Sequence, residues 1–243
     1  MKTIRLFFAA AIFVFIATVN SCKRDELTGP FSIMPHDFLV SDKYDKLELE
    51  IVSVNGYQPQ SLSIENLQSF LAARLNKTGG ITVIYKNIPS PGKSYYTLDD
   101  VEKVEKKERE HYTKGSTLCA FVFFADAPYS DPQVLGMAYG STALAIFEKT
   151  VDDNSDGIGQ PSRSTLESTV VEHEFGHLMG LVDNGTKMVN AHLDEAHGKH
   201  CDNQNCLMYY ATETTDILSN LVSGNIPPLD ENCINDLRAN GGK

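Results

Sequence analysis

The chain has 243 residues, of which 42 % are hydrophobic and 22 % charged, enough apolar material for one domain with a substantial core or a domain with a small C-terminal appendage. Its 32 acidic against 21 basic side chains give a formal charge of −11, which argues against nucleic acid and anionic lipid as partners. Internal repeats and low-complexity tracts are absent, which excludes solenoids and collagen-like or linker-like chains.

Met1, Lys2 and Arg5 precede an apolar run over 6–19, and Asn20, Ser21 and Cys22 follow it. Such a run has the length of a secretory leader and is too short for a comfortable membrane span. The cysteine at its end resembles a bacterial lipoprotein box, which implies a signal peptide over 1–21, lipidation of Cys22 and export to the cell envelope, at the outer membrane or cell surface. The chain would then be lipid-anchored without spanning the bilayer; the alternative is a general secretory signal that leaves Cys22 free. Residues 22–45, with the charges of Lys23, Arg24, Asp25 and Glu26 and prolines at 30 and 35, read as a tether, and the domain is expected over 46–243. Losing Lys2 and Arg5 with the leader takes the charge from −11 to −13.

Residues 47–54 alternate and are rich in branched side chains, as in a strand. From Ser63 the apolar positions Ile64, Leu67, Phe70, Leu71 and Leu75 follow a helical period, which the stretch 76–80 ends. A second strand is expected over 81–85, and a charged, solvated helix or helical loop over 98–112. Residues 118–124 are almost continuously apolar, which predicts a central strand covered on both faces. Segments 135–139 and 143–147 flank Gly140, Ser141 and Thr142 as a hairpin whose first strand lies at a sheet edge. The polar stretch 152–157 has the Asp, Asn and Gly of a calcium loop but lacks its closing glutamate, so it reads as a turn. Ser164, three residues before Glu167, is expected to cap the next helix.

That helix carries His173, Glu174 and His177. Positions i and i+4 lie one above the other on a helix face, so both imidazoles can reach one metal ion, with the carboxylate beside them to move a proton of a metal-activated water. Gly180 stands where a positive φ ends the helix sharply, and Asp183 after the turn is the expected third ligand, leaving a fourth position open. His200 is the alternative third ligand, ahead of His192 and His197. Asp183 also fits an ordinary Asp-Asn-Gly turn, and the loop histidines fit plain exposure.

The run from His173 to Asp183 resembles the zinc-binding motif of the metzincin clan of metallopeptidases, H-E-x-x-H-x-x-G-x-x-H or, in some families, with a final Asp. The clan keeps a methionine turn beneath the metal, and Met208 in Cys206-Leu207-Met208-Tyr209-Tyr210 is its counterpart. The segment from His200 to Met208 also resembles the H-C-x4-C-x-M portion of archaemetzincins. In that family the histidine closes the zinc motif directly, whereas here sixteen residues separate it from Asp183. The resemblance implies an α+β catalytic domain: a twisted mixed sheet with an antiparallel edge strand, near Gly136 to Tyr139, an active-site helix, and a small C-terminal subdomain from about residue 181. It implies a zinc endopeptidase with Glu174 as general base, a peptide or protein substrate held against the edge strand, and Tyr210 as an oxyanion-stabilising group. A monomer is expected.

Removing a lipidated Cys22 leaves Cys119, Cys201, Cys206 and Cys233, an even number in an exported chain, which makes disulfides the default. Of the three possible pairings, Cys201 with Cys206 and Cys119 with Cys233 are expected; the alternative is a second, structural zinc site of the kind archaemetzincins carry, although their later C-x-x-C pair is missing. The competing functional class is a noncatalytic, lipid-anchored binding protein with a structural or latent zinc site. Such a site closes its fourth position with protein and does not require Glu174.

Overall fold

Strands β1 (Lys46–Val54), β2 (Gly80–Ile88), β3 (Thr117–Phe124), β4 (Gly136–Tyr139) and β5 (Ala143–Ile146) form one sheet in the order β2-β1-β3-β5-β4. The computed structural model describes Ile33–Lys243; the expected leader, the lipidation site Cys22 and residues 22–32 of the expected tether lie outside the described residues. β1 pairs in parallel with β2 and β3, β3 in parallel with β5, and β4 runs antiparallel to β5 at the edge. No helix among the described residues is long and apolar enough to cross a membrane.

The alternation of each strand sorts its side chains onto two faces. Leu118, Ala120, Val122 and Phe124 of β3, with Leu47, Leu49 and Ile51 of β1 and Leu144 and Ile146 of β5, join the larger core. That core includes Ile64, Leu67 and Leu71 of α2 (Ser61–Arg74) and Leu166, Val170, Val171 and Phe175 of a 16-residue helix, Arg163–Leu178. Phe121 and Phe123 project to the other face, where they join Val101 and Val104 of α3 (Leu98–Glu108). Every residue from Leu118 to Phe124 is fully buried, as a run apolar on both faces requires.

Three boundaries differ from the sequence reading. The expected tether already folds in its last eleven residues: a short helix α1 (Pro35–Leu39) buries Phe38 and Leu39 in the larger core, and Lys77 Nζ donates to the carbonyls of Asp37, Val40 and Tyr44 at 2.6, 2.6 and 2.7 Å. A segment with two large apolar side chains and a buried cation tying down its carbonyls is part of the domain. A six-residue helix, α4 (Glu148–Asp153), occupies the start of the stretch read as a turn. The helix that carries His173 and His177 is α5, and its cap is Ser162, whose hydroxyl accepts from Thr165 N at 3.1 Å, in place of Ser164. Glu167 is thereby freed from capping; its buried carboxylate instead accepts from Gln60 N at the start of α2. The C-terminal region adds 3-10 turns Tyr210–Glu213 and Thr215–Ile217 and the helices α6 (Leu218–Leu221) and α7 (Glu231–Ala239), and Leu207, Met208, Leu229 and Leu237 share the larger core.

Candidate metal centre

His173 and His177 leave α5 one turn apart and their Nε2 atoms meet at 3.1 Å. Nδ1 of His173 donates to the Leu207 carbonyl at 2.7 Å, which leaves its Nε2 lone pair free toward His177. The Nε2 atom of His177 points to the same place, so the two rings offer nitrogens that one cation could take as ligands. Burial holds both rings in the neutral, ligating form: the His173 pKa is lowered to about 4, and burial, then the neighbouring His173 and His200, lower that of His177 well below the usual range.

The third imidazole is that of His200. Its ring stacks on His173 with centroids 5.4 Å apart and planes 18° from parallel, and meets His177 edge-on at 5.1 Å. Backbone hydrogen bonds set it there: Asp194 N donates to the His200 carbonyl at 2.8 Å, and Cys201 N to the Met208 carbonyl at 2.7 Å. The inserted loop is therefore a closed excursion, pinned at its neck by a bridge between Leu193 and Cys201, that returns His200 to the helix. Burial lowers the His200 pKa, but the Glu213 carboxylate outweighs it and raises the net value.

Asp183, the expected third ligand, is not brought to this group. The helix does end at Gly180 with φ +78°, but Val182 and Asp183 then both take left-handed conformations, at φ +53° and +59°, and Asp183 is left exposed. Two consecutive left-handed residues complete a tight turn, which Asn184 ties to the helix end by donating from Nδ2 to the His177 carbonyl at 3.0 Å. The other loop histidines go elsewhere. His197 donates from Nδ1 to Asp194 Oδ2 at 2.6 Å and stacks on Tyr210 with centroids 3.6 Å apart, and His192 joins the cysteines.

Glu174 is fully buried; among the described residues no hydrogen bond of good geometry reaches its carboxylate oxygens, although the backbone N–H of Ala138 on β4 is close enough to favour the charged form. Burial, then the charge of Glu213, raise its pKa well above the carboxylate range. The edge strand lies directly over it: a Cβ on Gly136 would sit 3.0 Å from Glu174 Oε1 and 2.6 Å from Val170 Cγ1. Met208, fully buried, lies against the helix at Gly176, where its Sδ occupies the space a side chain would need. Tyr210 is half-buried, its ring held between His197 and Tyr209.

Glu213 completes the cluster, and sequence reasoning missed it. Each of His173, His177, His200 and Glu213 offers one ligand atom, all within 4.8 Å of one another. Five residues beyond Met208 and inside a 3-10 turn, this glutamate belongs to no spacing that would mark it. The donor set fits zinc, which takes imidazole nitrogen and carboxylate oxygen at about 2.0–2.2 Å and so separates tetrahedral donors by about 3.4 Å. His200 Nε2 is buried and faces Glu213 Oε2 at 3.6 Å, a spacing that two donors on one zinc ion would also show.

The cysteines correct the expected disulfides: Cys119, Cys201, Cys206 and Cys233 are all free and buried. Cys119 sits on β3 near Arg109, Glu48 and Glu50, whereas Cys233 faces Cys206 at 3.6 Å, which rules out the expected Cys119 to Cys233 bridge. Cys201 lies beside His192 Nδ1 at 3.4 Å and Asp230 Oδ2 at 3.5 Å, and Asp236 orients the far side of His192 at 2.8 Å. His192, Cys201, Asp230 and Cys233 each place a ligand atom within 4.8 Å of the others. Cys206 is pulled down to about 4 by hydrogen bonds from Cys201 and Cys233, and also accepts from Met208 N and Asp230 N at 3.4 and 3.3 Å. A thiolate ringed by thiols, an imidazole and a carboxylate has the chemistry of a metal–thiolate site.

No family model matches the chain, and no curated protein does. Among solved structures, archaemetzincin from Methanopyrus kandleri is 16 % identical, with 81 % of this chain and 96 % of that chain covered and a TM-score of 0.52. Metalloproteinase-II from Bacteroides fragilis is 15 % identical, with a TM-score of 0.47; 88 % of this chain is covered, but only 58 % of that one. The mixed five-stranded sheet and its helices are thus a fold shared with archaemetzincin.

Proposed function

We propose that this protein is a zinc-dependent endopeptidase, with His173, His177 and His200 as the metal-binding imidazoles and Glu174 as general base. The observation that carries the reading is the convergence of three imidazoles on one place, beside the fully buried carboxylate of Glu174. Zinc bound there would supply Lewis acidity and make a water acidic near neutral pH. Glu174 takes the proton of the attacking water and delivers it to the nitrogen of the leaving amine. Substrate lies as an extra strand along β4, the sheet edge that crosses Glu174 at Gly136. Met208 fills the space under the helix, and the neighbouring Leu207 carbonyl keeps His173 in its ligating tautomer. Tyr210, its ring steadied by His197, would serve as the oxyanion donor.

The second cluster is proposed to hold a structural zinc through His192, Cys201, Asp230 and Cys233, with Cys206 facing Cys233 at 3.6 Å, tying α7 to the strap that carries His200 and Met208. We further propose export and a lipid anchor at Cys22, on the leader-like sequence alone.

The test compares the parent with Glu174→Ala for zinc content and for cleavage of a mixed peptide library. Equal zinc with cleavage by the parent alone supports the reading; equal zinc and no cleavage by either refutes it.

A further inference from the structure

The three imidazoles leave one tetrahedral position, which a hydrolytic site keeps for water. Here a carboxylate already stands near it. Glu213 Oε2 is 3.6 Å from His200 Nε2 and 4.0 Å from His173 Nε2, little more than the donor spacing of about 3.4 Å around a zinc ion. The backbone of Glu213 is not free to wander: its carbonyl accepts from Leu135 N at 2.8 Å, a bridge joins Val134 to Thr214, and Thr215 N donates to the Gln133 carbonyl at 2.9 Å. The turn bearing Glu213 is thus stitched to the residues that run directly into β4, the edge along which substrate is proposed to lie.

We infer that Glu213 is a fourth protein ligand of the metal in the resting protein, so that the chain closes its own active site and substrate arriving at β4 must displace the carboxylate before water can enter. This inference rests on the zinc reading above and goes beyond it: the zinc reading needs only three imidazoles and Glu174. Glu213 supplies the carboxylate of this four-residue cluster, and its side chain is one-third exposed, so a path out toward solvent exists. Because no separate inhibitory segment is required, latency is a property of the folded domain.

Cobalt-substituted full-length protein tests this without relying on turnover. Azide replaces water on an open metal position and changes the visible spectrum, but cannot readily replace a tethered carboxylate. The parent should show no saturable azide response, whereas Glu213→Gln should show one, with a metal affinity lower by about tenfold or more. His173→Ala supplies the blank for cobalt in the cysteine cluster. Saturable azide binding by the parent would overturn the inference whether or not any variant folds, and so would equal azide binding by parent and Glu213→Gln. If instead the parent and His173→Ala hold the same amount of cobalt, the imidazole site takes no metal, and the zinc reading fails together with the inference.

Discussion

The sulfur of Met208 occupies the place where a side chain on Gly176 would project from α5. The methionine turn and the helix can approach this closely only because position 176 has no Cβ. Gly176→Ala should therefore push Met208 and the adjoining Leu207 carbonyl away from His173, lowering stability by about 1–3 kcal/mol through overpacking. Thermal unfolding should show the loss, and zinc content should fall with it. Adding Met208→Ala should restore room for the methyl group; a double variant no better than the single would argue against this contact as the cause.

Gly136 is the corresponding point on the other side of Glu174. A methyl group there would meet Val170 at 2.6 Å and the Glu174 carboxylate at 3.0 Å, so either the edge strand lifts or the base shifts. Gly136→Ala is expected to cut peptide hydrolysis by about tenfold or more, since small displacements of a base are costly, while zinc content stays near one equivalent at the imidazole site. Parallel metal analysis and kinetics distinguish this from simple loss of the metal.

The choice of third ligand gives a direct contrast. His200→Ala removes an imidazole of the cluster and should lower zinc affinity severely, whereas Asp183→Ala alters an exposed turn residue and should leave it unchanged. Competitive titration against a chelator measures both. Loss of affinity in Asp183→Ala with retention in His200→Ala would reverse the assignment.

Cysteine chemistry yields a fourth expectation. Because the four described cysteines are free, alkylation after unfolding in chelator should label Cys119, Cys201, Cys206 and Cys233 without prior reduction. In the folded, zinc-loaded protein, Cys201, Cys206 and Cys233 should be protected and become reactive on chelation. Mass mapping of the labelled peptides would expose any disulfide.

A buried acidic pair makes stability depend on pH. Arg163 binds Glu148 through Nε at 2.7 Å and lies 3.8 Å from Glu167, yet burial still pushes Glu167 up to about 7, and burial with the charge of Glu167 pushes Glu148 well above the carboxylate range. The folded state therefore keeps a proton that the unfolded chain releases near 4.5. The corresponding stabilisation is present in full below that value and is lost as pH rises through about 7, with a slope of at most about 1.4 kcal/mol per pH unit for one proton. Glu167→Gln should flatten the dependence between those limits, as read from denaturant unfolding at several pH values.

Much of this molecule is decided locally and can be read along the chain. Period-two and period-3.6 patterns place β1, α2, β3 and α5, and the continuous apolar run 118–124 marks the central strand because both its faces must be covered. The His173, Glu174 and His177 constellation is equally local, since helical geometry alone puts residues four apart on one face. The third imidazole is different. Asp183 has the expected separation from His177, but separation along the chain does not fix direction once the chain leaves a helix, and the left-handed residues Val182 and Asp183 turn that side chain out to solvent. His200 reaches the metal centre through backbone hydrogen bonds at the neck of a sixteen-residue excursion, Glu213 through pairing with residues 133–135, and the cysteine cluster through packing of α7 against the methionine turn. Each of those juxtapositions depends on long-range contacts that exist only after the sheet and α5 have assembled, which is why tertiary structure alone could decide them.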